Sequence, residues 1–165
     1  MDRYSELLSY EALPQTADDR HEALLNYFGD QLCQHFEMAC RATTSMVNKP
    51  EGVRPVDRAP YEIASRLSSE QKQAVLEISK NCASMFVNFL LPLLGSAGYQ
   101  NRLGEKYYVR YRMDAEICKT PTDDADEDED ESDVVEAHTI NRMGRHYFGE
   151  MWPVWKHKFL PPNMT

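Results

Sequence analysis

"EKYYVRYRMDAEIC", residues 105–118, carries the clearest two-residue repeat in this chain. Tyr107, Val109, Tyr111, Met113, Ala115 and Ile117 fall on one side of the repeat, and Tyr108, Arg110, Arg112, Asp114 and Glu116 on the other. A period of two predicts a β-strand with one buried and one wet face. A lone strand leaves its backbone N–H and C=O groups without partners, so a second strand is required. "VVEAHTI", Val134 to Ile140, is the nearest candidate, which makes the pair a hairpin capped by the residues between them.

Those residues include "PTDDADEDEDESD", 121–133, the densest run of charge in the chain. Asp123, Asp124, Asp126, Glu127, Asp128, Glu129, Asp130, Glu131 and Asp133 repel one another and cannot enter a core, which predicts an exposed acidic loop over 119–133. The chain has 165 residues and a formal net charge of −9, from 27 acidic and 18 basic side chains. Without the nine carboxylates of the run, 18 acidic residues face 18 basic ones, so the acidity is local. Direct nucleic-acid binding is not expected, because no basic stripe is present and the run repels phosphates.

Working back toward the N-terminus, the pattern is helical. Residues 4–13 fit a short helix stopped by Pro14, and Thr16, Asp18 and Asp19 announce the next one. A helix is predicted from about Asp18 to about Met46, with Leu25, Phe28, Leu32, Phe36 and Ala39 buried and Asp30, Gln34, Glu37 and Arg41 mostly outside. The three prolines of "NKPEGVRPVDRAP", 48–60, predict a connector, followed by a short helical turn over 61–67. Ser68 and Gln71 then stand in capping-box spacing. The helix they open carries Val75, Ile78, Cys82, Met85, Phe86, Phe89 and Leu93, and its second half is apolar nearly all round, which predicts a position at the centre of the domain. Pro92 is expected to kink or end it, and "GSAGYQNRLG", 95–104, to form a loop. Near the C-terminus Pro153 suits the first turn of a short helix bearing Trp155 and Phe159, although an extended segment fits nearly as well.

These elements predict an α+β fold, a mainly helical N-terminal two thirds packed on a small antiparallel sheet or hairpin, as one domain over residues 1–165. The chain is long enough to bury a core. The N-terminus lacks the apolar stretch of a secretory signal, and the run Met85 to Leu94 is about half of what a bilayer span needs. No membrane association and a cytoplasmic location are therefore expected. Cys33, Cys40, Cys82 and Cys118 form no CxxC pair and are expected to be reduced and mostly buried.

Catalytic and metal motifs are weak. His21, His35, His138, His146 and His157 lie in no zinc-ligand spacing, and the acidic run lacks the glycine and spacing of an EF-hand. "GSAG" at 95–98 places its serine too early for a nucleophile elbow, and "GYQNRLG" lacks the lysine of a phosphate-binding loop. No cofactor or metal is expected. The most chemically crowded segment is "EAHTINRMGRHYFGE", 136–150, where His138 or His146 could meet Glu150 or an arginine and act on an anionic substrate.

Two functional readings follow. The first is a protein-binding module, of the kind seen in acidic inhibitor or immunity proteins, in which the nine carboxylates engage a basic partner surface and Tyr108, Arg110 and Arg112 supply neighbouring contacts. The second is a small enzyme built on the His138 to Glu150 segment. A scaffold or assembly subunit is a further alternative.

Overall fold

A computed structural model describes residues 13–95, 102–103, 107–108, 111–119, 134–142 and 147–164, with the main chain alone for 102–103 and 107–108. The fold is α+β and mainly helical. Helices α1 (Ala17–Asn48), α2 (Arg58–Ser65) and α3 (Ser69–Gly95) are followed by strands β1 (Arg102–Leu103), β2 (Tyr107–Tyr108), β3 (Asp114–Cys118) and β4 (Val134–Thr139), then helix α4 (Met151–Phe159). The expected helix over 4–13 and the acidic run lie outside the described residues.

Helix α1 starts where its polar cluster says it should. Thr16 Oγ1 accepts the Asp19 N–H at 3.3 Å, and Asp18 and Asp19 sit in the first turn, where carboxylates favour the positive end of the helix dipole. Leu25, Cys33 and Phe36 are buried, but so is Asp30, which the periodicity placed outside. Gln34, one turn on, donates to the Asp30 carboxylate at 2.8 Å, so the charge enters with a partner. Ala39, expected inside, is exposed. The proline-rich connector winds into two short 3-10 turns, Pro50–Gly52 and Pro55–Asp57. The Arg58 guanidinium donates to the carbonyls of Glu51 and Val53 and ties it down.

The capping box opens α3 as its spacing requires: Gln71 N–H donates to Ser68 Oγ at 3.2 Å, and Ser68 N–H to Gln71 Oε1 at 3.0 Å. Pro92 does not end the helix, which continues to Gly95; so close to the C-terminus, the missing N–H costs a single bond. The expectation that the second half of α3 is central is overturned. Met85, Phe86 and Phe89 are exposed, and the buried residues are Val87 and Leu91 on another face.

The chain divides into two compact units, Met1–Phe28 with Pro92–Gly149, and Gly29–Leu91 with Glu150–Thr165. In the first, β3 and β4 pair antiparallel from Asp114↔Thr139 to Cys118↔Val134, with an irregularity between Ile117 and Cys118. Along β3, Ala115 and Ile117 are half-buried while Asp114, Glu116 and Cys118 face solvent, as the alternation predicts. The single long strand does not form. Among the described residues, the main chain of 107–108 belongs instead to a separate pairing, Arg102↔Tyr108 and Leu103↔Tyr107, which also places β1 inside the expected 95–104 loop.

Beyond the Asp114↔Thr139 pair the backbone keeps one bond, Ile140 N–H to the Met113 carbonyl at 2.9 Å, while a side chain takes over the Met113 N–H. Asn141, fully buried, accepts the Met113 N–H at 3.0 Å and donates to the carbonyls of Tyr111 at 2.9 Å and Leu94 at 2.6 Å. Tyr111, expected on the buried face, is exposed. The Phe28 and Phe148 rings pack 5.8 Å apart in the same unit.

In the second unit the core is built on α4. Trp152 and Trp155 are both 0% exposed. Phe36 of α1 meets the Trp152 ring edge-on at 5.2 Å, and Gly29 leaves the space that the Trp155 indole fills.

Candidate functional site

The residues first singled out for partner binding are only partly described. The nine carboxylates from Asp123 to Asp133 and Arg110 lie outside the described residues, and Tyr108 is described by its backbone in β2 alone. Arg112 is exposed and turned to a neighbour: its Nε donates to the Asp114 carboxylate at 2.9 Å. Thr139 Oγ1 donates to the same carboxylate at 2.6 Å, and these hydrogen bonds hold Asp114 below the usual carboxylate pKa. A β3–β4 edge with its arginine already engaged follows.

The chemistry expected in the 136–150 segment is arranged differently from its sequence. Arg145 and His146 lie outside the described residues. His138 Nε2 bonds Glu136, two residues back, and Glu150 stands exposed at the end of a 3-10 turn. Arg20, from the first turn of α1, donates Nη1 to both Glu136 oxygens at 2.9 and 2.7 Å. Burial pushes the Glu136 carboxyl up, but the bonds from His138 and Arg20 outweigh it and hold the group below the usual carboxylate range. Arg142 pairs with Asp18 at 3.1 Å.

His21 lies beside these groups, 9% exposed, with a buried Nδ1 that has no hydrogen-bond partner. Its pKa is lowered, first by burial and then by the nearby charges of Arg142 and His138. The arrangement joins the start of α1 to β4: the glutamate's oxygens are taken by an arginine and a histidine. Sequence spacing could not find it, because Arg20 and Glu136 are 116 residues apart. Among the described residues, no group of three or more His, Cys, Asp or Glu side chains is placed to hold a metal ion.

A cleft of about 230 Å³ opens between α1, α3 and the C-terminal residues Asn163 and Met164. Its polar groups are turned to the protein itself. Thr43 and Thr44 donate back to the carbonyls of Ala39 and Cys40, and Lys80 pairs with Glu77 at 3.1 Å. The Cys40 thiol is pushed up by burial, away from the reactive thiolate.

What remains is the outer face of α3. Ile78, Met85, Phe86 and Phe89 are 62, 54, 66 and 72% exposed, and the Cys82 thiol between them is exposed too. The opposite face is also occupied: Leu76 and Ala83 line the cleft, Val87 and Leu91 are buried, and Ser84 accepts from Trp152 and Lys156 of α4. A helix with two apolar sides buries one and presents the other. By length and composition α3 could cross a membrane, but its charged residues Glu70, Lys72, Glu77 and Lys80 all lie before Asn81. That leaves fifteen uncharged residues to Gly95, against about 20 for a span.

No family model, curated protein or solved structure matches this chain. Its own residues carry the functional reading.

Proposed function

We propose that this chain is a protein-binding module that acts in the cytoplasm through its surfaces. The observation that supports it is the outer face of α3, where four large apolar side chains, each more than half exposed, stand together without a charge between them. Single exposed apolar residues are ordinary, whereas a contiguous patch of this kind marks an interaction surface. Four free thiols fit a reducing compartment.

In this reading the acidic run recruits a basic protein surface and speeds encounter, as in inhibitor or immunity proteins, with the apolar face adding an assembly function. The test is a pull-down at low and high salt with three forms of the protein. These are the intact chain, a variant whose carboxylates from Asp123 to Asp133 become Asn or Gln, and Phe86→Ser with Phe89→Ser. A basic protein held by the intact chain, released by salt and lost from the carboxylate variant is the expected result. Identical partners on all three forms would remove both surfaces from the function.

A further inference from the structure

The α3 face has a shape that names its occupant. Val75, Ile78, Cys82, Met85 and Phe89 follow one another at intervals of 3, 4, 3 and 4, the spacing of a helix seam that packs against another helix. Phe86 widens this stripe beside Met85. The stripe is also its own complement about Cys82. On one side stand the branched residues Val75 and Ile78, and on the other, at matching distances, Phe89 and Phe86.

We infer that a second copy of this chain covers this face, with the two α3 helices antiparallel about a two-fold axis at Cys82. The inference rests on the reading of α3 as an interaction surface and names what binds there. In this arrangement Val75 faces Phe89 and Ile78 faces Phe86, smaller side chains against larger ones, and Met85 falls beside Ser79. Cys82 meets Cys82 at the axis.

Charge supports the antiparallel sense. Glu70, Lys72, Glu77 and Lys80 occupy the first part of α3, and no charged residue follows them in the helix. Antiparallel pairing lays each charged half beside the other's neutral half, so like charges do not meet. A bilayer surface is a poorer match: helices that lie on membranes carry an excess of Lys and Arg on their flanks, whereas α3 sets two lysines against two glutamates, all before Asn81. Fully covered, the exposed area reaches the lower bound for a specific interface. With aromatic side chains presenting about 150–250 Å² when open, the four large residues expose roughly 500 Å² per chain and about 1,000 Å² across a symmetric pair, the threshold for a specific interface.

Light scattering on the eluting protein at micromolar concentration tests this directly. The intact chain is expected at twice 19.1 kDa, and the double variant Phe86→Ser, Phe89→Ser at 19.1 kDa with an unchanged circular dichroism spectrum. Mild oxidation with diamide is expected to yield a disulfide-linked dimer that disappears in Cys82→Ser and persists in Cys118→Ser. A 19.1 kDa intact chain that gives no Cys82-linked dimer overturns the second copy. If that monomer still captures a basic protein in low salt, the protein-binding reading stands without it; if it captures none, both fall. A dimer that survives the phenylalanine substitutions and links through Cys118 places the interface elsewhere. Flotation of a monomer with phosphatidylserine vesicles assigns the face to lipid and likewise overturns the pairing.

Discussion

Trp152 donates its indole N–H to Ser84 Oγ at 3.0 Å in an environment where the tryptophan is fully buried. The bond fits the way α3 is turned. With Ser84 directed at α4 and Val87 and Leu91 buried, Phe86, roughly half a turn round the helix from Ser84, is directed outward.

Ser84→Ala leaves that N–H without a protein partner and is expected to destabilise the fold by about 1–2 kcal/mol, a net loss although alanine is the better helix former. Urea unfolding of Ser84→Ala, Trp152→Phe and the double variant measures it. Additive single effects would show that the two residues are not coupled.

Gly29→Ala carries a sharper expectation. A Cβ at this position would lie about 2.5 Å from Cδ1 and Cδ2 of the Trp155 indole, which is fully buried and has no room to turn aside. The roughly 1 kcal/mol that alanine normally adds to a helix is outweighed by overpacking of about 1–3 kcal/mol or more. A thermal midpoint above that of the parent would contradict this packing.

The lowered pKa of His21 gives stability a pH dependence of definite sign. Unfolded, the ring titrates near its ordinary value of 6.5; folded, burial and the charges of Arg142 and His138 keep it neutral to lower pH. The unfolded state therefore binds the proton first, and stability falls as pH drops from about 6.5 toward the folded value. His21→Phe is expected to flatten the urea midpoint over this window while leaving the loss at lower pH, where Glu136 and Asp114 are protonated in turn. An unchanged slope would assign it to another group.

Asn141→Ala removes three hydrogen bonds at once, to Met113, Tyr111 and Leu94. A cost of about 2–3 kcal/mol is expected, because the freed backbone groups stay buried. Hydrogen exchange should localise it: the amide of Met113 loses protection first. Uniform loss across β4 would point to global unfolding instead.

The thiols separate by environment. Cys118, exposed on β3, is expected to react with a disulfide reagent at once, and Cys33 only on unfolding, since burial pushes its pKa up to about 12. Cys82 is exposed in the single chain, so its rate is expected to fall as protein concentration rises and pairing covers it. A rate independent of concentration would show the thiol uncovered.

Local chemistry was legible in the sequence: the Ser68 and Gln71 box, the start of α1 at Thr16, and the pairing of residues around Ala115 with the Val134 to Thr139 segment. Each depends on neighbours within a few positions or on a two-residue period. The expectation of mostly buried thiols failed at Cys82 and Cys118 because a cysteine on an apolar helix face or a strand carries no mark of which side is covered. The same ambiguity misplaced α3: periodicity finds an apolar stripe, and with two present it cannot rank them. What ranks them is Ser84, whose role depends on Trp152, 68 residues away. The cluster of Arg20, Glu136 and His138 was hidden for the same reason.

Pairing of Cys118 with Val134 fixes the two ends of the 119–133 segment one strand spacing apart, about 5 Å. A segment anchored in this way is a cassette. Halving or doubling its length shifts the closure entropy by about 0.6 kcal/mol, a small fraction of a domain's stability, so its length is free to vary while the register of β3 and β4 stays the same. The position is accordingly suited to grafting a foreign loop.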